Sequence, residues 1–117
     1  MTIFLRARGK VQVENELEFR ALAFALQALA AGESGTRTYR WFSEGSGTYA
    51  VLEEYADAAA ALAHNQRAAG LLARLSDTVD ITEIELYGEI GPDLEAYAAG
   101  LPQASVYREL LAPPATA

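Results

Sequence analysis

A single histidine, His64, is the one side chain in the sequence whose ordinary pKa lies near neutrality. It is therefore the natural candidate for a general base. The alternative is a histidine at a helix bend, bonded to a carbonyl or to solvent. Glu53 is the second candidate. It lies within an apolar, aromatic stretch, and burial there would raise its pKa unless a cation paired with it. Arg40 is the expected partner, which leaves two readings of Glu53. One is a structural ion pair; the other is a carboxylate that binds a substrate hydroxyl or helps take its proton. Tyr39, Trp41, Tyr49, Tyr55 and Tyr87 make up most of the large aromatic endowment nearby. Aromatic walls with a few hydroxyl tips suit a planar ligand such as a quinol or polyketide ring, and they equally suit a core or a dimer contact. Arg6, Arg8, Arg37 and Arg40 offer positive charge to an anionic group, or simply solvated strand edges.

Other chemistries are excluded. The chain has no cysteine, so thiolate zinc sites, thiol nucleophiles and redox pairs are impossible. One histidine cannot make a multi-histidine metal site. No Gly-x-Ser-x-Gly elbow and no phosphate-cradling glycine pattern is present. Nine Lys and Arg face sixteen Asp and Glu, for a net charge of −7 and a pI near 4.6, which argues against nucleic acid as a partner. No run approaches the ~18 apolar residues of a membrane span. The first ten residues carry their charges after the apolar ones, the reverse of a secretion signal. The expectation is a cytoplasmic protein.

The elements that must position these residues follow from periodicity. At 117 residues and 51 % hydrophobic, the chain predicts one domain with a true core, spanning 1–111. Residues 2–11 alternate with period two, Ile3, Leu5 and Ala7 against Phe4, Arg6 and Arg8, and predict a strand. Residues 15–31 switch to helical spacing through Phe19, Leu22, Leu26 and Leu29. Asn15 and Glu18 suggest a capping box, and Gly32 the closing glycine. Residues 36–43 and 48–55 predict a hairpin. A Gly45-Ser46 turn would set Arg40 opposite Val51 and Thr38 opposite Glu53, with Arg40, Phe42, Tyr49, Val51, Glu53 and Tyr55 on one face.

Residues 57–75 predict a second helix, capped by Asp57 and open to a bend at Asn65 or Gly70. Residues 78–88 predict a strand whose apolar parity changes, as a bulge near Thr82 would produce. Pro92 opens a short helix that ends at Gly100, and residues 104–111 predict an edge segment. The tail 112–117 is expected to fray as a disordered segment. The order β-α-β-β-α-β is the ferredoxin-like split βαβ unit, an antiparallel sheet with its helices on one face. The other face keeps apolar residues, and a two-fold homodimer burying about 800 Å² per chain would cover them.

The pattern Tyr39-x-Trp41, Glu53-x-Tyr55 and His64, carried in the stretch VLEEYADAAAALAHN, resembles the antibiotic biosynthesis monooxygenase family. Residues 2–88 carry the resemblance, and the segments GEIGPDLEAYAAG and SVYREL resemble an extension seen in some relatives. The resemblance implies a dimeric α/β barrel. It also implies a cofactor-free oxygenase that acts on phenolic or quinol-like aromatics. His64 would deprotonate a hydroxyl, and the electron-rich anion would react with O2. The haem-degrading branch uses an Asn, a Trp and a His. Here the first strand offers Phe4, Arg6 and Arg8 with no Asn, and Tyr55 stands where Trp is common. The competing reading is a ligand-binding or structural homodimer of the same fold. An enclosed cavity of about 300 Å³ or more reaching His64 would favour catalysis.

Overall fold

The computed structural model describes residues 1–111; the tail expected to fray, 112–117, lies outside them. The elements are β1 (Ile3–Lys10), α1 (Glu16–Ala31), β2 (Thr36–Gly45), β3 (Thr48–Tyr55), α2 (Ala58–Ser76), β4 (Asp80–Tyr87), α3 (Gly91–Ala99) and β5 (Ala104–Tyr107). The strands form one sheet in the order β2-β3-β1-β4-β5. All pairings are antiparallel except β4 with β5, which is parallel. The fold is the ferredoxin-like α+β unit, extended by α3 and β5. β5 is shorter than the expected 104–111, and Leu110 and Leu111 beyond it are exposed.

The alternation of β1 determines the two faces of the sheet. Ile3 is buried under the helices. Arg6 and Arg8 point the other way and pair with Glu85 and Glu83 of β4. The parity change in β4 is a bulge at Thr82, where pairing passes from Arg8 with Glu83 to Gly9 with Ile81. The Thr82 hydroxyl donates to the Arg8 carbonyl at 3.1 Å. Gly9 is required here, since a Cβ would stand 2.7 Å from Val79 Cγ2.

The hairpin register differs from the sequence expectation by one residue. Gly45 pairs with Thr48, and the turn is Ser46-Gly47, with φ of 56° and 77°. Positive φ at both central residues is the type I′ pattern that matches strand twist. Trp41 therefore faces Val51 and Tyr39 faces Glu53. A one-residue slip moves every side chain of a strand to the other face. Tyr39 and Trp41 lie beneath the helices, while Arg40 and Phe42 face outward. The alternative would have buried a guanidinium and left two large aromatics in water, a costly exchange.

The helices follow their periodicity. In α1, Phe19, Leu22, Leu26 and Ala30 are buried. The expected capping box does not form. Val13–Asn15 is a 3-10 turn that runs directly into α1, so Asn15 already has helical backbone and its side chain caps nothing. Gly32 closes the helix at φ −88°, without the left-handed conformation. In α2, the Asp57 side chain accepts the Ala60 N–H at 2.8 Å, as expected. The helix then runs unbroken past Asn65 and Gly70. Its buried positions Ala61, His64, Ala68 and Leu75 form one stripe facing the sheet. Two apolar clusters result. Phe19, Leu26, Tyr49 and Val51 anchor the one under α1, and Ile3, Tyr55, Leu86, Ile90 and Leu94 the one near α3.

Candidate active site

A cavity of about 200 Å³ lies between the sheet and α2, where the two clusters meet. Tyr39, Trp41, Val51 and Glu53 of the hairpin border it. His64 and Asn65 of α2, Ile84 of β4 and Tyr97 of α3 complete much of the wall. Four residues singled out from the sequence, Tyr39, Trp41, Glu53 and His64, are thus brought together around one space. The Trp41 indole N–H is buried with no aligned hydrogen-bond acceptor.

His64 is buried to 2 % exposure. Its Nδ1 lies 2.6 Å from Glu33 Oε1. The Tyr39 and Tyr55 rings pack around the imidazole with centroids at 5.1 and 5.6 Å. Glu33 belongs to the loop between α1 and β2, and its side chain is only 7 % exposed. The Thr36 hydroxyl donates to the same Oε1 at 2.8 Å. Glu33 Oε2 is buried without a hydrogen bond, and Arg67 Nη1 stands 3.8 Å away. The loop reaches α2 because Gly35 has no side chain: a Cβ there would lie 2.6 Å from the Ala60 Cβ. Sequence reasoning missed Glu33. It sits in a GESG loop with no periodicity to indicate burial, and the two flanking glycines are the only local signal.

Glu53 accepts a short hydrogen bond from the Tyr55 hydroxyl. The expected ion pair with Arg40 is absent. The register places Arg40 on the opposite face, with its guanidinium over the Phe42 ring at 5.4 Å. With no cation beside it, burial pushes the Glu53 carboxyl up to about 7; the Tyr55 hydrogen bond opposes that rise, and the Glu33 charge adds to it. Burial, reinforced by the Glu53 charge, raises the Tyr39 and Tyr55 hydroxyls well above the ordinary phenol range.

The remaining candidates lie elsewhere. Tyr49 packs on Phe19 at 4.6 Å and under the Arg20 guanidinium, away from the cavity. Tyr55 supports the site from behind, through His64 and Glu53, and does not border the cavity. Tyr87 lies on the open face, donating to Glu85 and stacked on Tyr107. Arg6 and Arg8 are neutralised there by Glu83 and Glu85. Arg37 reaches the Thr2 hydroxyl at 3.4 Å. Among the described residues, no three His, Cys, Asp or Glu side chains gather to hold a metal ion.

A ferredoxin-like sheet with an aromatic, histidine-bearing cavity beneath its helices defines the class, and the sequence match supplies the family. Residues 2–71 match the family model described as antibiotic biosynthesis monooxygenase, and the chain belongs to that family. No curated protein matches at a significant level. Among solved structures, MupZ from Pseudomonas fluorescens is similar over 97 % of this chain and 94 % of its own, with a TM-score of 0.78 at 18 % identity. A candidate antibiotic biosynthesis monooxygenase from Caulobacter crescentus CB15 covers 73 % of this chain and 86 % of its own, at 28 % identity and a TM-score of 0.65. SnoaB from Streptomyces nogalater, a cofactor-independent oxygenase solved as its N63A mutant, covers 73 % and 89 %, at 18 % identity and a TM-score of 0.60.

Proposed function

We propose that this chain is a cofactor-independent monooxygenase for a small phenolic or quinol-like aromatic bound in the cavity beside His64. The observation that carries the reading is the placement of the sole histidine, buried on an aromatic wall with its Nδ1 held by a carboxylate. Family membership and the likeness to SnoaB support it. Tyr39 and Trp41 form the walls against the ring faces. Glu53 binds a substrate hydroxyl or shares in taking its proton.

The reaction follows from those positions. His64 takes the proton of a substrate hydroxyl. The anion delocalises its charge onto a ring carbon, which bonds to O2 and gives a peroxide. The protonated imidazole returns its proton to the terminal peroxide oxygen, the O–O bond breaks, and the departing hydroxide takes the ring C–H proton and leaves as water. The net change is phenol plus O2 to quinone plus water. One oxygen atom enters the product, and the ring supplies all four electrons.

The reading includes a homodimer. Phe4, Phe42, Leu52 and Tyr107 lie on the open sheet face, each more than two-fifths exposed. A second sheet packed there would close a dimeric barrel. No helix among the described residues is long and apolar enough to cross a membrane.

The cavity volume favours a second reading. At about 200 Å³ it is smaller than the ~300 Å³ at which ligand sites ordinarily begin. A one- or two-ring ligand that is bound and not turned over would suit it. Oxygen uptake separates the two readings. With chelator-treated protein and a panel of one- and two-ring phenols and quinols, the oxygenase consumes O2 saturably with one of them. Tight binding of a panel member with no O2 uptake would favour the non-catalytic dimer.

A further inference from the structure

His64 and Glu33 are thirty-one residues apart in sequence, yet their side chains meet in the interior. Burying a carboxylate is costly unless its oxygens are bonded. Glu33 Oε1 has two donors, Thr36 and His64, while Oε2 has none. The carboxylate is thus aimed at the histidine, and the cation near it among the described residues is Arg67, a half-exposed side chain beyond hydrogen-bond range. The other groups around the imidazole are the Tyr39 and Tyr55 rings and, beyond Tyr55, the Glu53 carboxyl. On one side the imidazole borders the inner cavity. On the other it borders an outer cleft lined by Glu33, Ser34, Thr36, Asp57 and Arg67.

An imidazole between a carboxylate and a cavity has one useful protonation pattern. An ionised carboxylate only accepts hydrogen bonds, so Nδ1 must carry the proton that it donates to Glu33. Nε2 is then the lone-pair nitrogen. In water a neutral histidine favours the reverse, with the proton on Nε2. The partner of one ring nitrogen thereby decides the basicity of the other.

We propose that Glu33 is a positioning residue: it locks His64 in the Nδ1–H form, frees Nε2 as the base, and stabilises the imidazolium that forms when the substrate proton arrives. The assignment rests on the oxygenase reading for its catalytic consequence, but the tautomer itself does not. Thr36 is part of the same device, because its hydroxyl fixes the rotamer of the carboxylate. Gly35 is another part, since only a residue without a side chain lets the loop sit against Ala60. Its role is to orient the imidazole, as the carboxylate behind a histidine base does in acyl transfer.

The chain has one histidine, so its ring nitrogens can be read directly by long-range nitrogen-15 NMR of the intact protein, on the alkaline side where neutral tautomers are distinguished. The expected wild-type spectrum has a pyrrole-type Nδ1 and a pyridine-type Nε2. In Glu33→Ala the pattern reverses or becomes an average. Glu33→Gln should lower kcat about 10–100-fold, with KM changed less than about threefold, as loss of a histidine's orienting partner typically does. A wild-type spectrum with the proton on Nε2 overturns the assignment whether or not the protein consumes O2, and needs no variant to fold. An unchanged kcat in a folded Glu33→Gln also overturns it. An Nδ1–H spectrum in a protein that turns over nothing leaves the tautomer standing and removes the oxygenase reading instead.

Discussion

Glu53 has a raised carboxyl pKa and no cation, and this gives it a defined signature in stability. Below pH about 4.5 the carboxyl is protonated in both the folded and unfolded chain, and it contributes no pH dependence. Between about 4.5 and the folded value of about 7, the unfolded chain releases its proton while the folded one keeps it. Stability therefore falls as pH rises through that window, by about 1.4 kcal/mol per unit, and is flat above it. Glu53→Gln retains an acceptor for the Tyr55 hydroxyl and removes the titration. It should match the wild type near pH 4 and exceed it by about 3–4 kcal/mol near pH 8 in urea unfolding. Parallel stability profiles for the two proteins would contradict the buried, unpaired carboxylate. His64→Ala deletes the donor to a buried carboxylate, so the variant should lose about 3 kcal/mol as well as turnover. Thermal unfolding at wild-type stability would show that the Glu33 contact carries little. At this scale the raised pKa of a carboxylate in an apolar, aromatic stretch was legible for Glu53, and its pairing with Arg40 was not, because that rested on a hairpin register one residue off. Glu33 was not, because burial of a loop residue depends on where the chain folds back, and no local period records that.

Elements with a strong period were legible, down to the Thr82 bulge, because a change in apolar parity is itself a record of which face each residue occupies. The hairpin was not. In EGSGT either glycine can supply a positive φ, and the choice between adjacent turns depends on what the two faces of the sheet meet. The turn taken here puts Gly47 at φ 77°, and a Cβ there would stand 2.6 Å from the Val11 carbonyl oxygen. Gly45, at φ 91°, has open space around the corresponding position. Gly47→Ala should therefore cost about 2–3 kcal/mol, strain and clash together, and Gly45→Ala about 1 kcal/mol from strain alone. Equal losses in chemical denaturation would argue against the Ser46-Gly47 turn, and with it against the face that carries Tyr39 and Trp41 into the cavity.

The whole molecule has one feature that a single chain does not resolve, the exposed apolar residues on the open sheet face. Four of the charges interleaved with them are already paired within the chain, Arg6 with Glu85 and Arg8 with Glu83, which reduces the repulsion that a second copy of this face would meet. A two-fold homodimer should therefore form at micromolar concentration, with a light-scattering mass of about 25 kDa, twice the 12.6 kDa chain. Leu52→Glu places a charge in the middle of that face, away from the cavity, and should shift the mass toward the monomer while leaving the helical content unchanged. A wild type that is monomeric at that concentration would leave Phe4, Phe42, Leu52 and Tyr107 without a partner.

In the proposed reaction, substrate meets O2 in the cavity beside His64, with no added cofactor. Product formed under oxygen-18 gas by chelator-treated protein, analysed by mass spectrometry, tests it most directly. One labelled oxygen per product molecule is expected, undiminished by the chelator and lost in a folded His64→Gln variant. Full labelled turnover in that variant, or product oxygen drawn from water, would contradict it.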